Sequence, residues 1–362
     1  MNLKPKLLDL YLAKKFLATL GFILLMTALV SVVFDASEKI DDILEGDASF
    51  KEIVIDYYLN FIPVIINLTS PLIIFISALY FTARLANNAE ILSILASGIS
   101  YYRLIMPYLA VALGLAVVDW GLKNYVLPNA HEKVDAFEKR YILAEYHYNA
   151  QNIHRQLDTK SYFYAQGINY KERRAYRFAI DKFEGQNLVY KLWATDAVFD
   201  NETGSWMVYN YVTRDINGLK ETLKKGDTMR ITIPVTIADF TEKSRKTPTL
   251  TTPELNDFIE KERFKGEGMV DFYLVEKYKR TSMPFAIIIL VLIAVSLATK
   301  KIRGGIGTHL LVGILIAISY ELMMRFSTTF ATNSDLNPLL AVWMPNLVYG
   351  VLALYLLKVT PK

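Results

Sequence analysis

The strongest constraint on this chain is a set of long apolar runs, at 16–34, 59–83, 104–122, 283–299, 306–325 and 339–357. A bilayer core about 30 Å thick is crossed by about 20 residues of helix. Inside it each backbone N–H and C=O has to be bonded within the segment, so such runs are expected to be helices rather than loops or open strands. The chain therefore reads as an α-helical membrane protein with six transmembrane helices. Hydrophobic residues make up 53% of the 362 positions, and they come in blocks, which separates a membrane chain from a soluble one of similar composition.

The first run is entered through Lys14 and Lys15, and the segment VVFDASEKID that follows offers no small-residue cleavage site. It is expected to be a retained span rather than a signal peptide. Lys and Arg in short flanks set orientation. With a cytoplasmic N-terminus, the inner flanks hold Lys4, Lys6, Lys14, Lys15, Arg84, Arg103, Lys300, Lys301, Arg303, Lys358 and Lys362, whereas the short outer loops hold Lys39 and Lys51. Both termini are expected inside, and the long segment between spans three and four outside. The net charge of +4 follows from this bias and does not point to nucleic acid. With no cysteine, an outer domain has to be held by packing rather than disulfides.

Past span three, HEKVDAFEKRYILAEY continues as a charged helix restarted after Pro128 and Asn129. From about 150 the period changes to that of strands: RFAIDKF, LVYKLWATDAVFD, SWMVYNYVTRDI and TMRITIPVTIADF are separated by EGQN, DNETGS and KKGD. Met229, Ile231, Ile233, Val235 and Ile237 alternate with polar neighbours, as a strand covering a core does. Short strands without intervening helices predict an antiparallel sandwich or roll. Helix returns at TTPELNDFIEKERFKGEG, with Thr252 and Pro253 as the start and Gly266 as the stop. A second charged helix, VDFYLVEKYKRTSMPF, leads into span four. The expected division is 1–123, spans one to three with a short cytoplasmic helix at 86–98; 124–149, a helical stalk; 150–251, an inserted β domain; 252–282, a helical connector; and 283–362, spans four to six.

Little in the sequence carries chemistry. The glycine cluster GGIGTHLL at 304–311 lacks the lysine of a phosphate loop and reads as a tight turn between spans four and five. His131, His147, His154 and His309 show no metal-ligand spacing, there is no GxSxG elbow, and no cofactor is expected. The spans are almost bare of ionisable groups, unlike those of an intramembrane hydrolase or proton carrier. Glu321 and Arg325 stand four apart, the favourable order for a helical ion pair. Pro63, Pro71, Pro107, Pro284 and Pro345 lie in or at the edge of spans, where kinked helices fit a transport cavity as well as any bundle. Cations at the outer headgroup level run against the usual charge bias. Lys39, Lys123, Lys139, Arg140 and Arg325 are therefore candidate contacts for an anionic lipid headgroup, against a solvated, salt-bridged face.

The cytoplasmic stretch 84–103 contains a short helix. Asn87 is expected to cap it, Glu90 to return the bond three residues on, and Gly98 to stop it. Leu85, Ala89, Leu92, Ala96 and Ile99 are expected to form its apolar stripe. Such a helix is either a well-capped re-entry turn or an element that fits a groove in a cytoplasmic partner.

AEILSILASGISYYRLIMPYL from this region resembles the coupling-helix region of the LptF/LptG (YjgP/YjgQ) lipopolysaccharide export permeases. VFDASEKIDDIL after span one and TTPELNDFI with EKYKRTSMPFAIIILVLIA before span four also look like segments of that family, in the same order along the whole chain. The resemblance implies a periplasmic β-jellyroll-like domain and an LptF/LptG heterodimer in the inner membrane. It implies a cytoplasmic LptB-type ATPase dimer as motor, lipopolysaccharide as cargo, and LptC- and LptA-type periplasmic proteins as acceptors. It makes Glu90 the acidic docking residue and assigns ATPase coupling to Asn87, Glu90, Leu92, Leu95, Ser97 and Gly98. It also places spans one and five at the lipid gate. The outer end of span one departs from the family pattern, since its basic residues are represented mainly by Lys39 among Asp35, Glu38, Asp41 and Asp42. The length and this exit lean toward LptG. The competing reading is a membrane-anchored periplasmic binding or assembly protein with no transport role. An outer acidic enzyme site at Asp196 or Asp200 is disfavoured.

Overall fold

The computed structural model describes residues 6–142, 150–169, 172–201, 203–218, 220–235, 247–264, 270–300, 304–334 and 336–360. Ile237, Gly266, His147, Lys4, Lys301, Arg303 and Lys362 lie outside the described residues. The chain separates into two compact units. One is built from residues up to 142, 248–252 and 271 onward, and the other from 143–247 and 253–270.

In the first unit α1 (Leu7–Glu45) is followed by a π-helical turn (Glu52–Tyr58), α2 (Leu59–Asn87), α3 (Glu90–Ala96) and α4 (Tyr101–Gly121). A second π-helical turn (Leu122–Val126) joins α4 to α5 (Leu127–Tyr141), so the rod runs through Pro128 instead of restarting after it. The π register lets Leu127 N–H bond the carbonyl of Leu122, absorbing one residue without opening the helix. After α6 (Thr252–Phe264) come α7 (Val270–Ala298), α8 (Gly305–Asn333) and α9 (Pro338–Val359). Among the described residues six helices are long and apolar enough to cross a membrane, and each contains one of the six apolar runs. At about 1.5 Å per residue, the 39 residues of α1 reach well beyond a bilayer core.

Burial orders the bundle. The most apolar window of α7 is 61% buried, that of α1 only 17%, so α7 is central and α1 peripheral. Phe16 of α1 reaches the core by packing on Phe81 and Tyr108, with ring centroids 6.4 and 5.9 Å away. Gly313 of α8 allows close approach to α2, because a Cβ there would overlap the Leu79 side chain. The prolines free carbonyls four residues back, and two of these find hydroxyl partners. Ser70 Oγ lies 3.0 Å from the carbonyl of Asn67, freed by Pro71. Ser327 of α8 donates at 2.6 Å to the carbonyl of Ala341 in α9, freed by Pro345.

The second unit contains a six-stranded antiparallel sheet of β1 (Ala150–Gln156), β2 (Ser161–Asn169), β3 (Arg174–Glu184), β4 (Asn187–Asp200), β5 (Ser205–Asn217) and β6 (Lys220–Ile231), hydrogen-bonded in chain order. Its core is aromatic: Trp206 lies 5.2 Å from Phe199, 5.8 Å from Phe178 and 6.4 Å from Phe163. Phe163 is on β2 and Trp206 on β5, three strand spacings or about 14 Å apart in a flat sheet. Their contact shows that the sheet curls into a roll around these rings. Trp206 is fully buried and its Nε1–H donates to the carbonyl of Val235 at 2.8 Å.

The KKGD segment, expected to be a turn, lies inside β6, and the turn is at Gly218 with φ of 65°. Gly226 serves the packing of the sheet instead. It pairs with Tyr211 across the ladder, and the Tyr211 ring occupies the space a Cβ would need. Regular strand ends at Ile231, yet Ile233 still packs on the core and Val235 is 1% exposed.

Trp206→Ala is expected to cost about 3 to 5 kcal/mol, read as protease cleavage within 150–235 while α7 to α9 stay resistant. Ser327→Ala, which strands the Ala341 carbonyl, is expected to cost about 1 to 2 kcal/mol, read as a lower melting temperature in detergent. The neighbouring Thr329→Val, which leaves that carbonyl paired, serves as control.

Candidate functional site

The polypeptide between α2 and α4 makes two sharp changes of direction. Asn87 is the last residue of α2 rather than the cap of a new helix, and Asn88 closes that end by donating its N–H to the carbonyl of Arg84 at 3.0 Å. Ala89 then adopts φ of 60°, a left-handed conformation that costs a residue with a Cβ roughly 1 to 2 kcal/mol. Only seven residues, Glu90–Ala96, form α3, and no side chain caps it. Gly98, at φ of 83°, stops it as expected, donating its N–H to Leu95. Ser100 Oγ accepts from Arg103 N–H and opens α4.

The kink at Ala89 also resets the helical phase, which rotates the apolar stripe away from the expected one. Leu85 belongs to α2, while Ile91, Ile94 and Leu95 turn α3 onto the bundle core. Leu92 is 67% exposed, and Asn87, Ala96, Ser97 and Gly98 are exposed beside it. Glu90 does not return a capping bond. Its Oε2 accepts from the hydroxyl of Tyr11 in α1 at 2.9 Å, and Oε1 lies 3.4 Å from Asn88 Nδ2. A second link from the same end of α1 is the ion pair of Asp9 with Arg103 in α4 at 2.5 Å. Tyr11 was not legible as a partner of Glu90, because the two are 79 residues apart and nothing in their local pattern pairs them.

The five candidate cations separate into two groups. Lys39 sits between Asp35 and Glu138, at 2.8 Å from each, and donates to Tyr57 Oη at 2.6 Å. Its charge is more than matched by those carboxylates. Lys139 pairs with Asp135 at 2.7 Å, and Arg140 lies 3.6 Å from Glu52 over the Tyr141 ring. Lys123 and Arg325 instead line one cleft of about 600 Å³ formed by α2, α5, α7 and α8. Lys123 is tied to Asp119 at 2.8 Å, and Asp119 accepts from Asn67 Nδ2 at 3.0 Å and shares the single Ser70 hydroxyl proton, at 3.0 Å, with the Asn67 carbonyl. Arg325 is 72% exposed and pairs with Glu321 at 2.9 Å, the expected helical pair.

Sequence reasoning passed over two further cations of this cleft, Lys279 and Arg280, as part of a charged helix leading into span four. The readable signal was Glu276, Lys279, Arg280 and Met283, at the spacing of one helical face. Arg280 is 4% exposed and its guanidinium holds the chain at 250–252, donating to the carbonyl of Leu250 at 2.9 Å and to Thr252 Oγ1 at 3.2 Å. His309 is buried and its Nε2 lies 3.0 Å from the carbonyl of Lys300, which gives it a place in the turn between α7 and α8.

No curated protein gives a significant match to the chain. The model of one protein family, described as lipopolysaccharide export system permease LptF/LptG, matches residues 10–359, nearly the whole chain, and covers both subunit types together. Six apolar helices with an antiparallel sheet inserted between the third and fourth accord with that match. The chain belongs to the LptF/LptG family of lipopolysaccharide export permeases and is thus a transport component of the inner membrane rather than an enzyme.

Proposed function

We propose that this permease couples ATP hydrolysis in a separate cytoplasmic LptB-type ATPase dimer to extraction of lipopolysaccharide from the outer leaflet of the inner membrane. It works paired with a second LptF/LptG-type subunit, and the cargo passes to LptC- and LptA-type periplasmic proteins. Both termini are cytoplasmic and the β domain is periplasmic in this reading, which rests on the Lys and Arg bias of the flanks.

The observation that carries the proposal is the exposed Leu92 beside Glu90 on a helix whose other face is packed on the bundle. A large apolar side chain next to a carboxylate, on a rigid support, is what a partner groove with a basic rim would take. Leu95 supports α3 from within, whereas Asn87, Ser97 and Gly98 flank the exposed face. Glu90 also has a second connection, through Tyr11 to α1, so a force on α3 is delivered to the first span. Of the candidate headgroup cations, Lys39 is already enclosed by two carboxylates, whereas Lys123 and Arg325 border the cleft.

Co-expressed with its candidate partners and purified from membranes, the protein is expected to retain an ATPase subunit. Glu90→Lys is expected to abolish export. Leu92→Ala is expected to weaken ATPase retention about tenfold, the equivalent of about 1.4 kcal/mol. Tyr11→Phe is expected to keep the ATPase bound but reduce export per ATP hydrolysed. Full export by Glu90→Lys together with no retained ATPase would overturn the proposal. Unchanged coupling in Tyr11→Phe would remove only the link to α1.

A further inference from the structure

The cleft that holds Lys123 and Arg325 is built by four helices, each contributing one face. Val64, Asn67, Leu68 and Pro71 of α2 follow the spacing i, i+3, i+4, i+7, and Glu321, Met324, Arg325 and Thr328 of α8 repeat it. Glu276, Lys279, Arg280 and Met283 of α7 do the same, while Lys123, Leu127 and His131 are four apart along the α4–α5 rod. Four helices of one chain therefore converge on a single amphipathic space. Val64, Leu68, Pro71 and Met283 give it an apolar wall, and Lys279, Arg280 and Arg325 give it a cationic one.

The charges point to the ligand. Lys123, Lys279, Arg280 and Arg325 are opposed by Glu276 and Glu321 in the lining and by Asp119 behind Lys123, so among the described residues four cations meet three carboxylates. One positive charge is left over. Lys123 is matched by Asp119 and Arg325 by Glu321, whereas Lys279 has no ion-pair or hydrogen-bond partner among the described residues. A group with a single negative charge balances the site. A headgroup phosphorylated more than once overfills it, and a zwitterion leaves the surplus in place. The volume of about 600 Å³ is that of a pocket for one small ligand.

We propose that this cleft is a binding site for one monoanionic glycerophospholipid per chain, its phosphodiester at Lys279 and Arg325 and its acyl chains along Val64, Leu68 and Met283. The bound lipid is a resident of the permease, distinct from the cargo. It fills the gap between α2, α7 and α8 and neutralises Lys279.

The test uses the full chain in nanodiscs of phosphatidylcholine, with phosphatidylglycerol titrated in and the retained lipid counted by native mass spectrometry. One phosphatidylglycerol per chain is expected to be held in preference to phosphatidylcholine, and inorganic phosphate is expected not to displace it. Lys279→Gln is expected to weaken retention about tenfold, as loss of one charge-assisted contact does, and Lys279→Arg to restore it. Where Lys279→Gln melts early, Val64→Trp, which fills the apolar wall, supplies the same reading. Equal retention of phosphatidylcholine overturns the proposal, as does displacement by inorganic phosphate. Retention untouched by both Lys279→Gln and Val64→Trp overturns it too. Displacement of phosphatidylglycerol by phosphorylated glycolipid would make the cleft part of the cargo route and overturn it as well. None of these outcomes bears on Glu90 and the ATPase, so this inference and the coupling proposal fail separately.

Discussion

A membrane interior offers the backbone no hydrogen-bonding partner, and the architecture of the first unit answers that constraint. Helices satisfy it residue by residue, except where proline removes a donor. At Pro71 the orphaned carbonyl of Asn67 is met by Ser70 from the same helix, and at Pro345 that of Ala341 is met by Ser327 from α8. The second solution does more than repair a helix. It fixes the register of α8 against α9, which Tyr320 and Asn346 reinforce with a hydroxyl-to-amide bond at 3.0 Å. Asn346 passes the connection on to α7 through the carbonyl of Ser282 at 2.9 Å. Three spans are thus joined by polar contacts whose alternative is an unsatisfied group in an apolar medium.

The same medium explains why ion pairs gather at the ends of α1 and not in its middle. At one end Asp9 meets Arg103 and Tyr11 meets Glu90; at the other Lys39 is enclosed by Asp35, Glu138 and Tyr57. Between them Phe22, Leu25, Leu29, Val30 and Val33 are exposed on the surface of the chain. The two ends of α1 carry these polar contacts, while one side of its apolar middle packs on α2 and the other is exposed. An element tied to α3 at its end is well placed to respond to what α3 does.

How much could be read in advance differed from element to element. The six spans were legible because a run of about 20 apolar residues has one solution in a bilayer, and the β unit because its period is two. KKGD misled because its glycine is needed for the approach of Tyr211 from the neighbouring strand, a requirement invisible along one strand. The stripe on α3 misled because helical spacing was carried across Ala89, where the backbone changes hand. Lys279 and Arg280 were in view as charges, but only the convergence of α2, α5, α7 and α8 makes them walls of one cleft with Lys123 and Arg325.

The sequence by itself determined the number of spans, the inserted strand region, the short helix after span two and the family, since each depends on local period, composition or ordered motifs. Tertiary structure decided which face of α3 is free, that Glu90 answers to Tyr11, that Lys39 is enclosed, and that Lys279 stands in a cleft without a partner among the described residues. Except for Lys39 with Asp35, these bring together residues well separated along the chain. They depend on how whole helices are rotated against each other, and no local pattern along the chain encodes that rotation.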